Sequence, residues 1–130
     1  MSAGSSRGRR RRGRLSRGGD FERVYREGQS HANRFLVLYA FPRRGEGENE
    51  ETRLGISVSR KVGGAVERNA VKRALREAFW SLGDSPPGAH DFVLVARPDV
   101  AGLLERDGTR GVAAALEELV AEARPPGGTV

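Results

Sequence analysis

Arg53-Leu-Gly-Ile-Ser-Val-Ser-Arg-Lys-Val-Gly-Gly-Ala-Val-Glu-Arg-Asn-Ala-Val-Lys-Arg-Ala-Leu-Arg-Glu-Ala-Phe79 changes its hydrophobic period partway along, and that change decides the fold. In its first part Leu54, Ile56 and Val58 alternate with Gly55, Ser57 and Ser59. That is the two-residue period of a strand, with one apolar face and one face of small groups. Val62-Gly63-Gly64 ends the strand, Gly64 serves as an N-cap, and Glu67 suits the positive end of a helix dipole. From there the period is helical. With Arg68 as origin and a turn of about 100° per residue, Lys72, Arg76, Asn69 and Arg73 fall at roughly 40°, 80°, 100° and 140°. Ala70, Ala74, Ala78, Val71, Leu82 and Leu75 occupy roughly 200° to 340°, an apolar stripe that can seat the helix on a sheet.

Working outward, His31 to Phe41 reads as a strand with Phe35, Val37, Tyr39 and Phe41 on one side and Leu36, Leu38 and Ala40 on the other, so that both faces are covered. Before it, Asp20 to Glu27 reads as a short helix, capped by Asp20 or Ser16, with Phe21, Val24 and Tyr25 on one face and Gly28 at its end. Pro42 to Glu51 is a polar, glutamate-rich loop. Gly83 to Gly88, with two prolines, stops the central helix; Phe92 to Ala96 is a buried strand halted by Pro98. A last amphipathic helix runs near Val112 to Ala123, with Val112, Leu116, Leu119 and Ala123 inward. The expected fold is therefore α/β (α+β), a single small domain of residues 15–124 with a central mixed sheet of about four strands and helices packed on it, in the order α-β-β-β-α-β-α. Residues 1–14 form an arginine-rich tail too poor in apolar side chains to offset its ordering entropy, and 125–130 a disordered C-terminus.

The length of 130 residues fits one domain with a buried core. The formal charge of +6 is unevenly placed: residues 1–17 carry seven arginines and no acid, leaving 16 basic against 17 acidic side chains in the rest. Positive surface on the folded part must then be a patch, and Ser57 to Phe79 supplies it with six basic residues against two acidic. No cysteine is present, which removes disulfides, thiolate metal sites and thiol nucleophiles. The arginine-rich start lacks the apolar segment of a secretory signal, and no apolar run approaches a membrane span, so a soluble, cytoplasmic protein with no membrane partner is expected.

A charged helix arc is often only a solvated face. Here it holds almost no acids for pairing, and an unneutralised row of cations becomes favourable beside phosphates. Arg68, Arg73 and Arg76 can fork onto phosphate oxygens, Lys72 acts as a point charge, and Asn69 can reach a base edge or sugar. Phe21, Tyr25 and Tyr39 fit either plain core or a platform on which unpaired bases stack. Ser57 and Ser59 would line the sheet face beside the basic helix. His31 and His90 have no ligand-spaced partners, and no carboxylate pair or nucleophile arrangement stands out, so no catalytic residue and no metal ligand is assigned to this chain. The main rival is a non-enzymatic RNA-binding protein of ribosomal type.

The stretch from Arg53 to Phe79 resembles the signature of the bacterial ribonuclease P protein family. Arg14-Leu15, Asp20-Phe21, Val24-Tyr25, Gly28, Phe35 to Tyr39 and Ala96-Arg97-Pro98 follow in the order that family has them, so the resemblance spans residues 14 to 122. It implies a compact domain with a left-handed βαβ crossover, like the second domain of ribosomal protein S5. It implies the non-catalytic subunit of a ribonucleoprotein endoribonuclease, one copy per RNA, whose partners are a catalytic RNA and the 5′ leader of precursor tRNA. The cofactor implied is Mg2+, held mainly by the RNA partner and substrate. Carried onto this chain, Arg60, Lys61, Arg68, Asn69, Lys72, Arg73 and Arg76 form the RNA-facing row, Phe21, Tyr25, Tyr39, Ser57 and Ser59 the leader cleft, and Arg9, Arg10, Arg11, Arg12 and Arg14 tail contacts. The family signature commonly reads Arg-Asn-Arg, whereas this chain has Ala70 in the third position, a loss for which the arginine tail can compensate. Deleting residues 1–13 is accordingly expected to weaken binding to the catalytic RNA in a filter-binding titration, and unchanged affinity would remove the tail from the interface.

Overall fold

The computed structural model describes residues 12–14, 18–42, 52–82 and 90–123. Five strands form one mixed sheet: β1 (Arg12–Arg14), β2 (Gln29–Ala32), β3 (Leu36–Pro42), β4 (Thr52–Val58) and β5 (His90–Ala96), in the spatial order β1-β4-β5-β3-β2. Three helical elements accompany them: α1 (Gly18–Glu27), α2 (Ala65–Ser81) and α3 (Asp99–Ala123). β4 and β5 are adjacent and parallel with α2 between them in the chain, a βαβ unit, while β3 runs antiparallel to both β5 and β2. The expected order of elements is present, with one strand added at the front.

Alternation along the strands sorts side chains onto two faces. Leu36, Leu38, Ala40, Leu54, Phe92, Leu94 and Ala96 point to one side, where Val71, Ala74, Leu75, Ala78 and Phe79 of α2 and Val100, Leu103, Val112, Leu116 and Leu119 of α3 close the main core. Phe79 packs edge-on against Phe92 with ring centroids 5.2 Å apart, and each fully buried side chain of this size contributes roughly 1.5–3 kcal/mol. The opposite face carries a smaller cluster in which Val24 of α1 sits on Val93, flanked by Phe21, Tyr39, Phe41 and Val95. β5 is thus covered on both sides.

Four expectations need correction. His31 to Phe41 is two antiparallel strands, because Asn33 breaks the run: its Oδ1 accepts the N–H groups of Phe35 and Leu36 at 3.0 Å each, and its Nδ2 donates to the Ala115 carbonyl at 2.9 Å. An Asx side chain holding backbone two and three residues on is a turn former. Phe35 consequently leaves the Val37, Tyr39, Phe41 row and packs against the main core. Second, Arg12–Arg14, expected in the disordered tail, pairs in parallel with Thr52–Leu54; the edge of β4 offers backbone groups with which this segment's own can pair.

Third, the last helix begins at Asp99, well before Val112, and is two helical segments joined at Gly108 (φ 68°, ψ −163°). Gly102 within it and Gly108 at its end conceal the first segment in the sequence, since each lowers intrinsic helicity, but Val100 and Leu103 bury its inner face. Fourth, α1 starts at Gly18, so Asp20 lies in its first turn and not at its cap. Gly28 ends α1 as expected, and for a tertiary reason: a Cβ there would stand 2.6 Å from the Val24 carbonyl and 2.8 Å from that of Ala40. The Glu46–Glu51 loop, the Gly83–Gly88 breaker and the C-terminal residues 125–130 lie outside the described residues.

The dihedrals of Gly108 belong to a region open essentially to glycine alone. Gly108→Ala is expected to lower unfolding free energy by roughly 1–3 kcal/mol in urea titrations. Gly102→Ala, where an added Cβ meets only the mobile end of Arg106 at 3.2 Å, is expected to be neutral or stabilising by up to about 1 kcal/mol. Equal effects at both positions would refute the role given to the kink.

Candidate RNA interface

Three successive α1 residues set the face of the sheet opposite the main core. Val24 is fully buried against Val93. Arg23 and Tyr25 therefore project about 100° to either side of it. On one side Arg23 reaches Asp91; on the other Tyr25 meets Tyr39 with ring centroids 4.8 Å apart and hydrogen-bonds with Ser57. Phe21 lies one turn before Tyr25, with its ring centroid 6.2 Å away. Tyr25 is 40% exposed, and Phe21, Val37, Tyr39, Ser57 and Val95 are half-buried. The result is an open aromatic surface with a hydroxyl-bearing floor. Burial pushes the Tyr25 phenol above its ordinary value, the hydrogen bond with Ser57 pulls it down, and the neighbouring Tyr39 pushes it up again.

The Asp91 side is ionic, with a fully buried carboxylate between two half-buried arginines. Asp91 has 0% exposure and accepts a forked pair of hydrogen bonds from Arg53, Nε to Oδ1 and a terminal nitrogen to Oδ2, both 2.8 Å. Arg23 adds a third at 2.6 Å to Oδ2, and its guanidinium stands 4.8 Å from the centre of the Phe41 ring. Arg53 and Asp91 are register partners across β4 and β5, so one carboxylate joins two strands and α1.

On the other side of the sheet, α2 presents its polar arc outward. Asn69, Arg73 and Arg76 are exposed and Lys72 is half-buried. Arg68 departs from the expected arc: Phe79, at roughly 20° on the same wheel, is fully buried, so the buried sector extends past Arg68. Arg68 is half-buried, and its Nε is enclosed without a hydrogen-bond partner among the described residues. Arg60 and Lys61 are exposed in the turn that joins β4 to α2, which is closed by hydrogen bonds from Val62 N to Ser59 O (3.1 Å) and from Gly63 N to Arg60 O (3.2 Å). Among the described residues no three or more His, Cys, Asp or Glu side chains come together in a way that could hold a metal ion, and none of the helices they form is long and apolar enough to cross a membrane.

A sequence profile of the ribonuclease P family matches residues 10–123. The chain belongs to the ribonuclease P protein family. It is 44% identical over 84 residues to the ribonuclease P protein component of Macrococcus caseolyticus, covering 65% of this chain and 70% of that one. It is 41% identical over 90 residues to that of Halalkalibacterium halodurans, covering 69% and 73%. Among solved structures, the Staphylococcus aureus RNase P protein superposes with a TM-score of 0.73 at 37% identity, over 85% of this chain and 94% of that one. The Thermotoga maritima RNase P protein gives 0.73 at 32%, over 86% and 98%. Family membership makes this chain a protein subunit of a ribonucleoprotein endoribonuclease of tRNA 5′ processing, associated with the ribonuclease P RNA.

Within this ribonuclease P protein, the fold brings Phe21, Tyr25, Tyr39 and Ser57 together on one sheet face, and Asn69, Lys72, Arg73 and Arg76 along one helix. Ser57 does not line the sheet beside α2, as expected from the sequence, but the opposite face. Ser59 is separated from the group: it lies past the end of β4, exposed, and its Oγ accepts the Lys61 N–H at 3.2 Å. Arg14 is exposed in β1, Arg12 lies in the same strand, and Arg9, Arg10 and Arg11 lie outside the described residues. Sequence reasoning missed Arg23, Arg53 and Asp91. The available signal was Asp91 itself, a charge heading the apolar run Phe92 to Ala96, since a carboxylate carried into a buried strand needs a cationic partner.

The Tyr25 phenol gives a titration test. Its raised value favours the folded state below the ordinary tyrosine value of 10.0, and that contribution is lost as pH rises through the folded value. Because the chain has two tyrosines, Tyr39→Phe leaves Tyr25 as the sole phenol. Adding Ser57→Ala to that background is expected to move the phenolate absorbance midpoint upward, and a midpoint that falls would show that Ser57 does not stabilise the phenolate.

Proposed function

We propose that this ribonuclease P subunit holds two RNA segments at once, the catalytic RNA along α2 and the β4–α2 turn, and the single-stranded 5′ leader of precursor tRNA on the aromatic face beside α1. The observation that carries this reading is the route of one continuous segment. Ser57 stands on the aromatic face, Arg60 and Lys61 follow in the turn, and Asn69, Lys72, Arg73 and Arg76 continue outward on α2. Aromatic rings and hydroxyls suit unpaired bases, while arginine forks and a lysine suit phosphates. Arg68, half-enclosed with an unpartnered Nε, is suited to a phosphate that reaches into the seam below the exposed row. The arginines before β1 add sequence-independent attraction.

The chain's own contribution to the reaction is electrostatic and positional. Cations on α2 neutralise crowded phosphates of the catalytic RNA, and the aromatic face fixes an extended leader so that the scissile bond dwells in the RNA's active site. Magnesium supplies the Lewis-acid chemistry of phosphodiester hydrolysis. The described side chains offer no cluster to hold it, and we assign it to the RNA partner and the substrate. Work in the cytoplasm with one protein per RNA completes the reading.

The test is 5′ processing of a precursor tRNA by a bacterial ribonuclease P RNA at low magnesium, with and without this protein, and with protein alone. Cleavage is expected to require the RNA and to be stimulated by the protein; no stimulation at any magnesium concentration would favour a ribosomal-type RNA-binding role. Lys72→Ala and Arg76→Ala are expected to reduce activity mainly at low magnesium, each lowering the slope of log affinity against log salt by about 1. Equal losses at all magnesium concentrations would contradict the electrostatic role.

A further inference from the structure

We propose that Asp91 is a positioning residue for the leader: through Arg23 it fixes the rotation of α1, and hence how Tyr25 and Phe21 face the bound strand. The inference rests on the aromatic face being the leader site. Its basis is the correspondence between consecutive α1 residues and alternate sheet positions. Arg23 engages Asp91, Val24 covers Val93, and Tyr25 meets Ser57, the register partner of Val95. Asp91, Val93 and Val95 are successive positions on the same face of β5.

Apolar packing alone defines the rotation of α1 poorly. Val24 is the fully buried apolar side chain of the helix, while Phe21 is half-buried and Tyr25 exposed. The apolar contacts of Val24 and Phe21 resist separation but have little directional preference, whereas a short charged hydrogen bond has both. Arg23 lies on the opposite side of Val24 from Tyr25. Any rotation of α1 about Val24 that lengthens the 2.6 Å bond to Asp91 must therefore move the Tyr25 ring relative to Tyr39 and Ser57. Asp91 is in turn held by the fork from Arg53 on the neighbouring strand, so its carboxylate is fixed relative to the sheet before α1 docks. Stacking of the Arg23 guanidinium over Phe41 of β3 restrains the arm itself.

Asp91 is fully enclosed and on the far side of Val24 from the aromatic pair, so it does not itself contact the leader. The two Arg23 variants are chosen to keep the sheet intact. Arg23→Ala removes the arm from α1 while leaving the Arg53–Asp91 fork; Arg23→Lys restores charge without the planar fork; Asp91→Asn is the direct change. Each is assembled as holoenzyme with a bacterial ribonuclease P RNA, and KM is measured for two precursor tRNAs, one with a leader of several nucleotides and one with a single-nucleotide leader. Binding of the protein to the catalytic RNA alone is measured beside them.

For Arg23→Ala and Asp91→Asn we expect KM for the long-leader substrate to rise about tenfold. KM for the short-leader substrate, kcat, and affinity for the catalytic RNA are expected to change less than about twofold, and Arg23→Lys to recover part of the loss. A merely structural role would lower RNA affinity and raise both KM values together, and that result, or no change in Arg23→Ala, would overturn the proposal. Tyr25→Ala separates the two levels of inference. If it fails to discriminate between leader lengths, the aromatic face is not the leader site; if it discriminates and Arg23→Ala does not, the site stands and positioning by Asp91 falls.

Discussion

The parallel register of β4 against β5 is the constraint on which the other features depend. Pairing Leu54 with Phe92 and Ile56 with Leu94 directs these apolar side chains toward α2 and α3. The same register sets Arg53 opposite Asp91 and Ser57 opposite Val95 on the reverse face. A slip of one residue would exchange the faces, carrying Arg53 and Ser57 into the main core and stripping α2 of its seat. One hydrogen-bonded ladder therefore fixes both the packing surface and the polar surface.

Burial on both sides of β5 explains why the molecule can keep an ionic group at the edge of its core. Phe92 and Leu94 are sealed by helices, and Val93 is sealed by Val24 of α1. Asp91 shares that sealed environment, where a lone carboxylate would be costly and a carboxylate with three charged hydrogen bonds is tolerated. Exchanging such a group for apolar atoms often costs little stability, which argues that its directional preference is what it contributes here. Two surfaces of unlike chemistry can then lie on opposite faces of one thin sheet, the aromatic one beside α1 and the cationic one on α2.

Periodicity exposed the parts of this plan that depend on one chain segment, and missed those that depend on contacts between distant segments. The strand-to-helix change between Leu54 and Leu75 is written in local spacing, as are Gly28 and the inward faces of Val112, Leu116 and Leu119. Asn33 reads in the sequence as one polar residue within a strand; its Oδ1 makes the turn locally, and its amide is anchored by the distant Ala115 carbonyl, a contact that spacing does not reveal. β1 exists because β4 has an edge to fill, a fact that no composition of arginine and glycine can announce. The site divided in the same manner. The α2 row was legible because helical spacing defines an arc. The limit came at Arg68, which shares its side of the helix with the buried Phe79 and is itself half-buried, so the polar arc is narrower than the wheel alone implies.

The outward end of α2 shows how a helix keeps its role with a weaker charge pattern. Ala70 is exposed, and Val66, one turn earlier, is 80% exposed, so an apolar strip borders the polar row where an additional cation would strengthen contact with phosphates. Methyl groups at that border carry no desolvation penalty when RNA approaches, but they supply no attraction either. The attraction must then come from Lys72, Arg73 and Arg76 further along and from Arg60 and Lys61 in the preceding turn. Five cations distributed over a turn and about one helical turn offer successive contacts to phosphates along a backbone, because side chains three or four apart on a helix stand about 5–6 Å from one another, close to the spacing of neighbouring phosphates. Losing one cation from such a row thins the contact without moving its line. The helix can accept Ala70 for the same reason that the fold does: its exposed position is asked to touch a partner and not to pack a core.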